Sequence, residues 1–180
     1  MQKNIGVRFL VVFLIAEILL LSCMALLEAR YAIYPYPMRD LIETAAGETG
    51  VPAYVILSTM KVESDFKVDA VSPKGAIGLM QIMPATFAWL TENTKEYDIY
   101  NAADNILIGS RYLAYLYKKY ENWDTAHAAY NAGDGAVDGW LADARYSESG
   151  VLTNIPYPET ATYVRRIKST EKIYKNLYFR

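Results

Sequence analysis

From Phe9 to Leu27 the chain reads FLVVFLIAEILLLSCMALL, nineteen residues interrupted only by Glu17, Ser22 and Cys23. No other stretch limits the possible structure so sharply. Wound as a helix at 1.5 Å per residue, the run spans roughly 28 Å, close to the ~30 Å of a bilayer's hydrocarbon layer. Lys3 and Arg8 precede it, and a positive flank of this kind keeps the N-terminus in the cytoplasm and sends the chain beyond Leu27 outside. Three fates are open: an uncleaved anchor, a cleaved signal peptide, or a lipoprotein signal acylated at Cys23 within LLSC. Length favours the anchor, since no A-x-A site comes after the run and Glu17 interrupts the lipoprotein pattern. Glu17 at mid-bilayer costs about 3 kcal/mol, which snorkelling or a partner helix reduces.

The expected plan is a cytoplasmic start over 1–8, an anchor over 9–27, a Tyr/Pro spacer over 28–37 (EARYAIYPYP) and a folded domain over 38–178. Ten extended residues reach at most ~35 Å. A domain tethered so closely is expected to work on material lying against the outer face of the membrane.

Composition narrows the chemistry. The net charge of −2 offers no basic excess for counterion release, so nucleic acid is excluded as a partner class. One cysteine and one histidine, Cys23 and His127, allow no internal disulfide and argue against a His/Cys metal site or a Cys/His dyad. No metal or cofactor is expected, and acid–base work falls to carboxylates, tyrosines or lysines. The 16 tyrosines suit helix packing or a groove that stacks on sugars.

From Met38 onward the pattern is helical. Met38, Leu41, Ile42, Ala45 and Ala46 form an amphipathic stripe. GETGVP ends that helix, and Pro52 opens another that runs to about Ser64. SPKGAIGLMQIMP, with Pro73, Gly75 and Gly78, reads as a loop with a short strand-like piece. Helices are expected after Pro84, over 103–120, in WDTAHAAYN and GAVDGWL, and from Pro158 onward, with ADARYSESGVLTN irregular between. The class predicted is all-α.

Glu63 is out of place in this pattern. It closes the apolar helix VPAYVILSTMKV, where the negative end of the macrodipole and the edge of the core both disfavour a carboxylate. Raising its pKa to ~6 costs about 2.3 kcal/mol. An acid kept protonated near neutral pH is what general-acid cleavage of a glycosidic bond requires, although a solvated helix-end glutamate is the commoner case. Gly75 and Gly78 lack the G-K-[ST] ending of a phosphate loop. They read as an ordinary turn or as backbone brought close to a ligand, with Gln81 able to pair with amides or hydroxyls. In AYNAGDG, Asn131 either caps a helix end or binds the acetamido group of an amino sugar.

VESDF, AVSPKGAIGLMQIMPAT, NILIGSRYLAYL, AHAAYNAGDGAVDGWL and IPYPETATYVRRI occur in that order. Together they resemble the catalytic domain of the Slt-type soluble lytic transglycosylases, over about Met38 to Lys175. The resemblance implies a lysozyme-like helical fold. It implies cleavage of peptidoglycan glycan strands between N-acetylmuramic acid and N-acetylglucosamine, leaving 1,6-anhydromuramyl ends. Glu63 matches the single catalytic acid/base, and the resemblance implies that the substrate's own N-acetyl group takes the place of the second carboxylate of ordinary glycosidases. Ser72, Gly78, Gln81 and Met83 match the substrate-groove segment, Tyr130 and Asn131 the AYNAG element, and Tyr163 the tyrosine beside the acid. Asp65 departs from the pattern, standing where the family has a small or amide residue. It reads as a plain helix-end residue, as a like charge raising the Glu63 pKa, or as support for hydrolysis. The competing functions are a hydrolytic muramidase and a non-catalytic glycan-binding module.

Overall fold

The computed structural model describes residues 3–92 and 96–179. The chain divides between Pro35 and Tyr36 into two units. The first is one helix, α1 (Lys3–Ile33). Val7–Ile33 is long and apolar enough to cross a membrane, with a mean hydropathy of 2.8. Its apolar side chains are exposed, as expected of a surface that meets lipid, and a signal sequence has the same character. The helix runs on where an extended spacer was expected. Glu28, Ala29 and Arg30 are good helix formers, and no breaker occurs before Pro35. The Ser22 hydroxyl is satisfied within the helix, donating to the Ile18 carbonyl at 2.7 Å.

The second unit holds α2 (Arg39–Thr49), α3 (Ala53–Glu63), α4 (Pro84–Leu90), α5 (Ala102–Tyr120), α6 (Trp123–Ala132), α7 (Asp134–Leu141) and α8 (Pro158–Tyr178). Its centre is α3, in which every residue from Val55 to Met60 is buried. Continuous burial explains why α3 lacks a polar face: it packs on α2 and α8. Burying each large apolar side chain there contributes roughly 1.5–3 kcal/mol. Leu116 of α5, Ala129 of α6, Trp140 of α7 and Val164 and Ile167 of α8 form the adjoining core.

Caps set the boundaries. Asn101 Oδ1 accepts from the Ala103 and Asp104 N–H groups to start α5, and Asn122 Oδ1 accepts from Thr125 N–H to start α6. Gly50, at φ 73°, ends α2 in the left-handed region that suits glycine.

Among the described residues two departures from pure helix occur. Val71, Ile77 and Ile82 make isolated antiparallel bridges within the expected loop, the strand-like piece read from the sequence. The stretch expected to be irregular instead holds a hairpin of β1 (Ser147–Glu148) and β2 (Val151–Leu152), paired Ser147↔Leu152 and Glu148↔Val151. Its turn residues Ser149 and Gly150 both have positive φ, 52° and 80°, the requirement of a tight two-residue hairpin turn.

Candidate active site

The end of α3 fixes Glu63. Ser64 caps the helix, and Asp65 and Phe66 come next at φ 51° and 64°. Two consecutive left-handed residues stop the helix and leave Glu63 as its last residue. The Ser64 hydroxyl lies between the Leu79 carbonyl, at 2.8 Å, and that of Met60, at 3.1 Å. It pins the loop after α3 to the helix that carries Glu63.

Glu63 opens into a groove of about 400 Å³ between that loop, α6 and the start of α8. Ser72, Gln81, Met83, Tyr130 and Asn131 line the same groove. Five of the seven residues expected to contact substrate thus gather around the expected acid. The other two do not line the groove. Tyr163 is buried behind Glu63 and donates its hydroxyl to Oε1 at 2.7 Å. Gly78 does not line the groove. At φ +79°, its open α-carbon faces α5, and a Cβ there would come within 2.4 Å of Asn105 Nδ2. Its glycine serves close packing against Asn105 rather than approach to a ligand.

The carboxyl of Glu63 is pushed up to about 7, chiefly by loss of hydration. The Tyr163 hydrogen bond and the Arg166 charge oppose the shift without cancelling it. Asp65 is not among the causes. Its side chain is exposed and paired with Lys61 one turn back, which supports the plain helix-end reading. The second acid lining the groove is Glu159, at the rim, 3.7 Å from Lys74.

Each lining polar group has a defined half. Gln81, held at φ 47°, donates Nε2 to the Ala70 and Gly78 carbonyls at 3.0 and 2.8 Å, leaving Oε1 as the acceptor for a ligand. Asn131 Oδ1 accepts from the Thr160 hydroxyl at 2.8 Å, leaving its NH₂ as the donor. Ser72 Oγ accepts from Ala76 N–H at 3.0 Å and retains its own proton to offer. Tyr130 donates to the Met80 carbonyl at 2.7 Å, tying α6 to the loop.

Several working residues escaped the sequence reading. Asn105 is buried on α5, where it accepts from Met80 N–H at 2.9 Å and donates to the Ile77 and Ile99 carbonyls at 3.0 and 2.9 Å. It holds the groove loop by side-chain bonds across 25 to 28 residues, and only the polar break in the NILIGSRYL stripe hinted at it. Thr160, Lys74 and Glu159 were missed for the same reason, since their roles depend on long-range approach. His127 is buried against Trp123 and lines no part of the groove, and burial pushes its pKa down to about 4. Among the described residues no cluster of three or more His, Cys, Asp or Glu side chains is placed to hold a metal ion.

The helical domain with its acid at the floor of a groove has clear structural counterparts. It superposes on the 70-kDa soluble lytic transglycosylase of Escherichia coli with a TM-score of 0.73 at 29% identity, over 81% of this chain and 25% of that one. A complex of the 70-kDa soluble lytic transglycosylase with bulgecin A gives 0.74 at 29% identity, over 82% of this chain and 25% of that one. An inactive mutant of the lytic transglycosylase Slt of Pseudomonas aeruginosa gives 0.69 at 30%, over 79% and 24%. The architecture is therefore the lysozyme-like, all-α fold of such enzymes. In sequence, residues 40–151 match the transglycosylase SLT domain, and the chain belongs to that family. Over 154 residues it is 31% identical to the soluble lytic murein transglycosylase of Escherichia coli (strain K12), which covers 79% of this chain but 23% of that relative. Over 112 residues it is 37% identical to the membrane-bound lytic murein transglycosylase C of Histophilus somni (strain 2336), 54% of this chain and 31% of that relative. The chain thus spans less than a third of the length of these relatives.

Proposed function

We propose that the protein is a peptidoglycan lytic transglycosylase, held by α1 at the membrane with its second unit on the extracytoplasmic side. It cleaves the N-acetylmuramic acid–β-1,4–N-acetylglucosamine bond and leaves a 1,6-anhydromuramyl end. The observation that carries this reading is Glu63, a carboxylic acid with a pKa near 7 at the floor of a groove lined by amide and hydroxyl groups. Near neutral pH a large fraction of Glu63 is protonated, so it can give its proton to the departing glycosidic oxygen. The carboxylate formed then takes the proton of the muramyl 6-hydroxyl as that oxygen closes onto C1. Both steps balance with one residue, and no water is consumed.

The groove suits an N-acetyl sugar. Such a group carries one amide N–H and one carbonyl, and Gln81 Oε1 and Asn131 NH₂ are the complementary acceptor and donor. Ser72, Met83 and Tyr130 complete the substrate contacts, and Tyr163 orients Glu63 from behind. Hydrolysis is the competing reading. It draws on a second carboxylate, and Glu159, rather than the solvent-facing Asp65, is the acid that shares the groove.

Mass analysis of fragments released from purified peptidoglycan tests the proposal. Anhydromuramyl fragments from the parent and none from Glu63→Gln support it. Reducing ends, one water heavier, make the enzyme a muramidase, and retention on the glycan without release makes it a binding module.

A further inference from the structure

Beyond Gln81 and Met83 the catalytic groove continues into a second lobe of about 310 Å³, which shares Lys74, Tyr130 and Asn131 with the first and ends at Tyr112 and Gly133. Past Tyr112 lie aromatic side chains that the proposed reaction does not use. Tyr115, one turn along α5, lies nearly parallel to Tyr112, with ring planes 10° apart and centroids 6.3 Å apart. Trp89 of α4 meets Tyr115 edge-on at 4.9 Å and Tyr112 at 6.4 Å. The three rings fix one another, yet Trp89 keeps 52% and Tyr115 37% of its surface exposed. Rigid aromatic area left open in this way loses little entropy on binding.

The border of this shelf is polar. The Tyr115 hydroxyl donates to Asp134 Oδ2 at 3.4 Å, and Asp134 and Asp138 hold Lys119 at 3.0 and 2.7 Å. Asp134 directly follows Gly133 of the second lobe. An apolar ring face bordered by hydroxyl, carboxylate and ammonium groups matches a pyranose, which presents a C–H face and a hydroxylated edge.

We propose that Trp89 and Tyr115 form a distal stacking platform for the glycan strand that enters the catalytic groove, engaging a sugar beyond the second lobe. The inference rests on the glycan-cleaving function proposed above. Its consequence is a preference for long strands, because only a strand that fills both lobes reaches the platform.

The test uses the full-length Glu63→Gln protein in detergent micelles, titrated with peptide-free glycan oligosaccharides of increasing length. Affinity rises by about tenfold or more between a tetrasaccharide and an octasaccharide, the order of one added stacking contact. Adding Trp89→Ala abolishes most of that gain and Trp89→Phe restores part of it, and Tyr115→Ala introduced on its own also reduces it. An equal length-dependent gain with and without Trp89 overturns the platform while leaving the catalytic reading intact. Absence of binding at every length by Glu63→Gln itself overturns both.

Discussion

Replacing Tyr163 by Phe removes one hydroxyl and keeps the buried ring. The phenol donates to Glu63 Oε1 at 2.7 Å and is the largest influence holding the Glu63 pKa down against burial. A hydrogen bond to a charged acceptor is worth ~1.5–3 kcal/mol, and one to a neutral acceptor ~0.5–1.5. The bond therefore favours ionised over protonated Glu63 by about 1–1.5 kcal/mol, close to one pKa unit. Without it the carboxyl moves from about 7 to roughly 8. Because the first step needs the protonated acid, kcat/KM falls as pH rises through this pKa. The alkaline limb of the parent profile therefore lies near pH 7, and that of Tyr163→Phe about one unit higher. The assay is release of soluble glycan from purified peptidoglycan between about pH 5 and 9, at constant ionic strength. A variant that loses rate equally at every pH, with its limb unmoved, would refute the assignment of Tyr163 as the group that tunes Glu63.

Glu63→Gln should also change stability. The folded pKa of about 7 exceeds the ordinary 4.5, so the native state holds an extra proton between those values and parent stability falls as pH rises through that window. Glutamine removes that dependence. The variant is expected to be more stable above about pH 7, by at most about 3 kcal/mol, and no more stable below about pH 4.5, as thermal melts at about pH 4 and pH 8 would reveal. Asn105→Ala takes the buried partner from the Met80 N–H and the Ile99 carbonyl, and leaves the Ile77 carbonyl with only its backbone bond from Ile82 N–H. A loss of about 3 kcal/mol in chemical denaturation, together with reduced activity from a loosened groove loop, is expected. Gly78→Ala forces a Cβ into the Asn105 side chain at a positive φ and should lower the melting temperature comparably. Asp65→Asn should leave the pH profile of glycan release unshifted, since its carboxylate faces Lys61 and solvent.

Local pattern is the part of this structure that the sequence makes legible. The apolar run of α3 announces a buried helix, and a carboxylate at its end conflicts with that burial strongly enough to mark Glu63. Pro52, Pro84 and Pro158 mark helix starts because a proline ring suits the first turn whatever surrounds it. The hairpin at 147–152 stays hidden, since strands of two residues carry no alternation to detect. The continuation of α1 to Ile33 is obscured by the nearby YPYP, although the breaker begins only at Pro35. In the sequence Gly78 reads as an ordinary turn or as backbone brought close to a ligand, because a chain shows that a glycine is needed but not which neighbour needs the space. Asn105, on α5, supplies the answer. Asn131 is located by its motif but not oriented, because its amide is set by Thr160 across 29 residues.

The most direct test of a single carboxyl group acting as acid and then base is digestion of purified peptidoglycan in water enriched in heavy oxygen. Released fragments from the parent should carry anhydromuramyl ends with no heavy oxygen, and Glu63→Gln should release none. Reducing ends bearing one heavy oxygen atom, or undiminished release by Glu63→Gln, would contradict that role for Glu63.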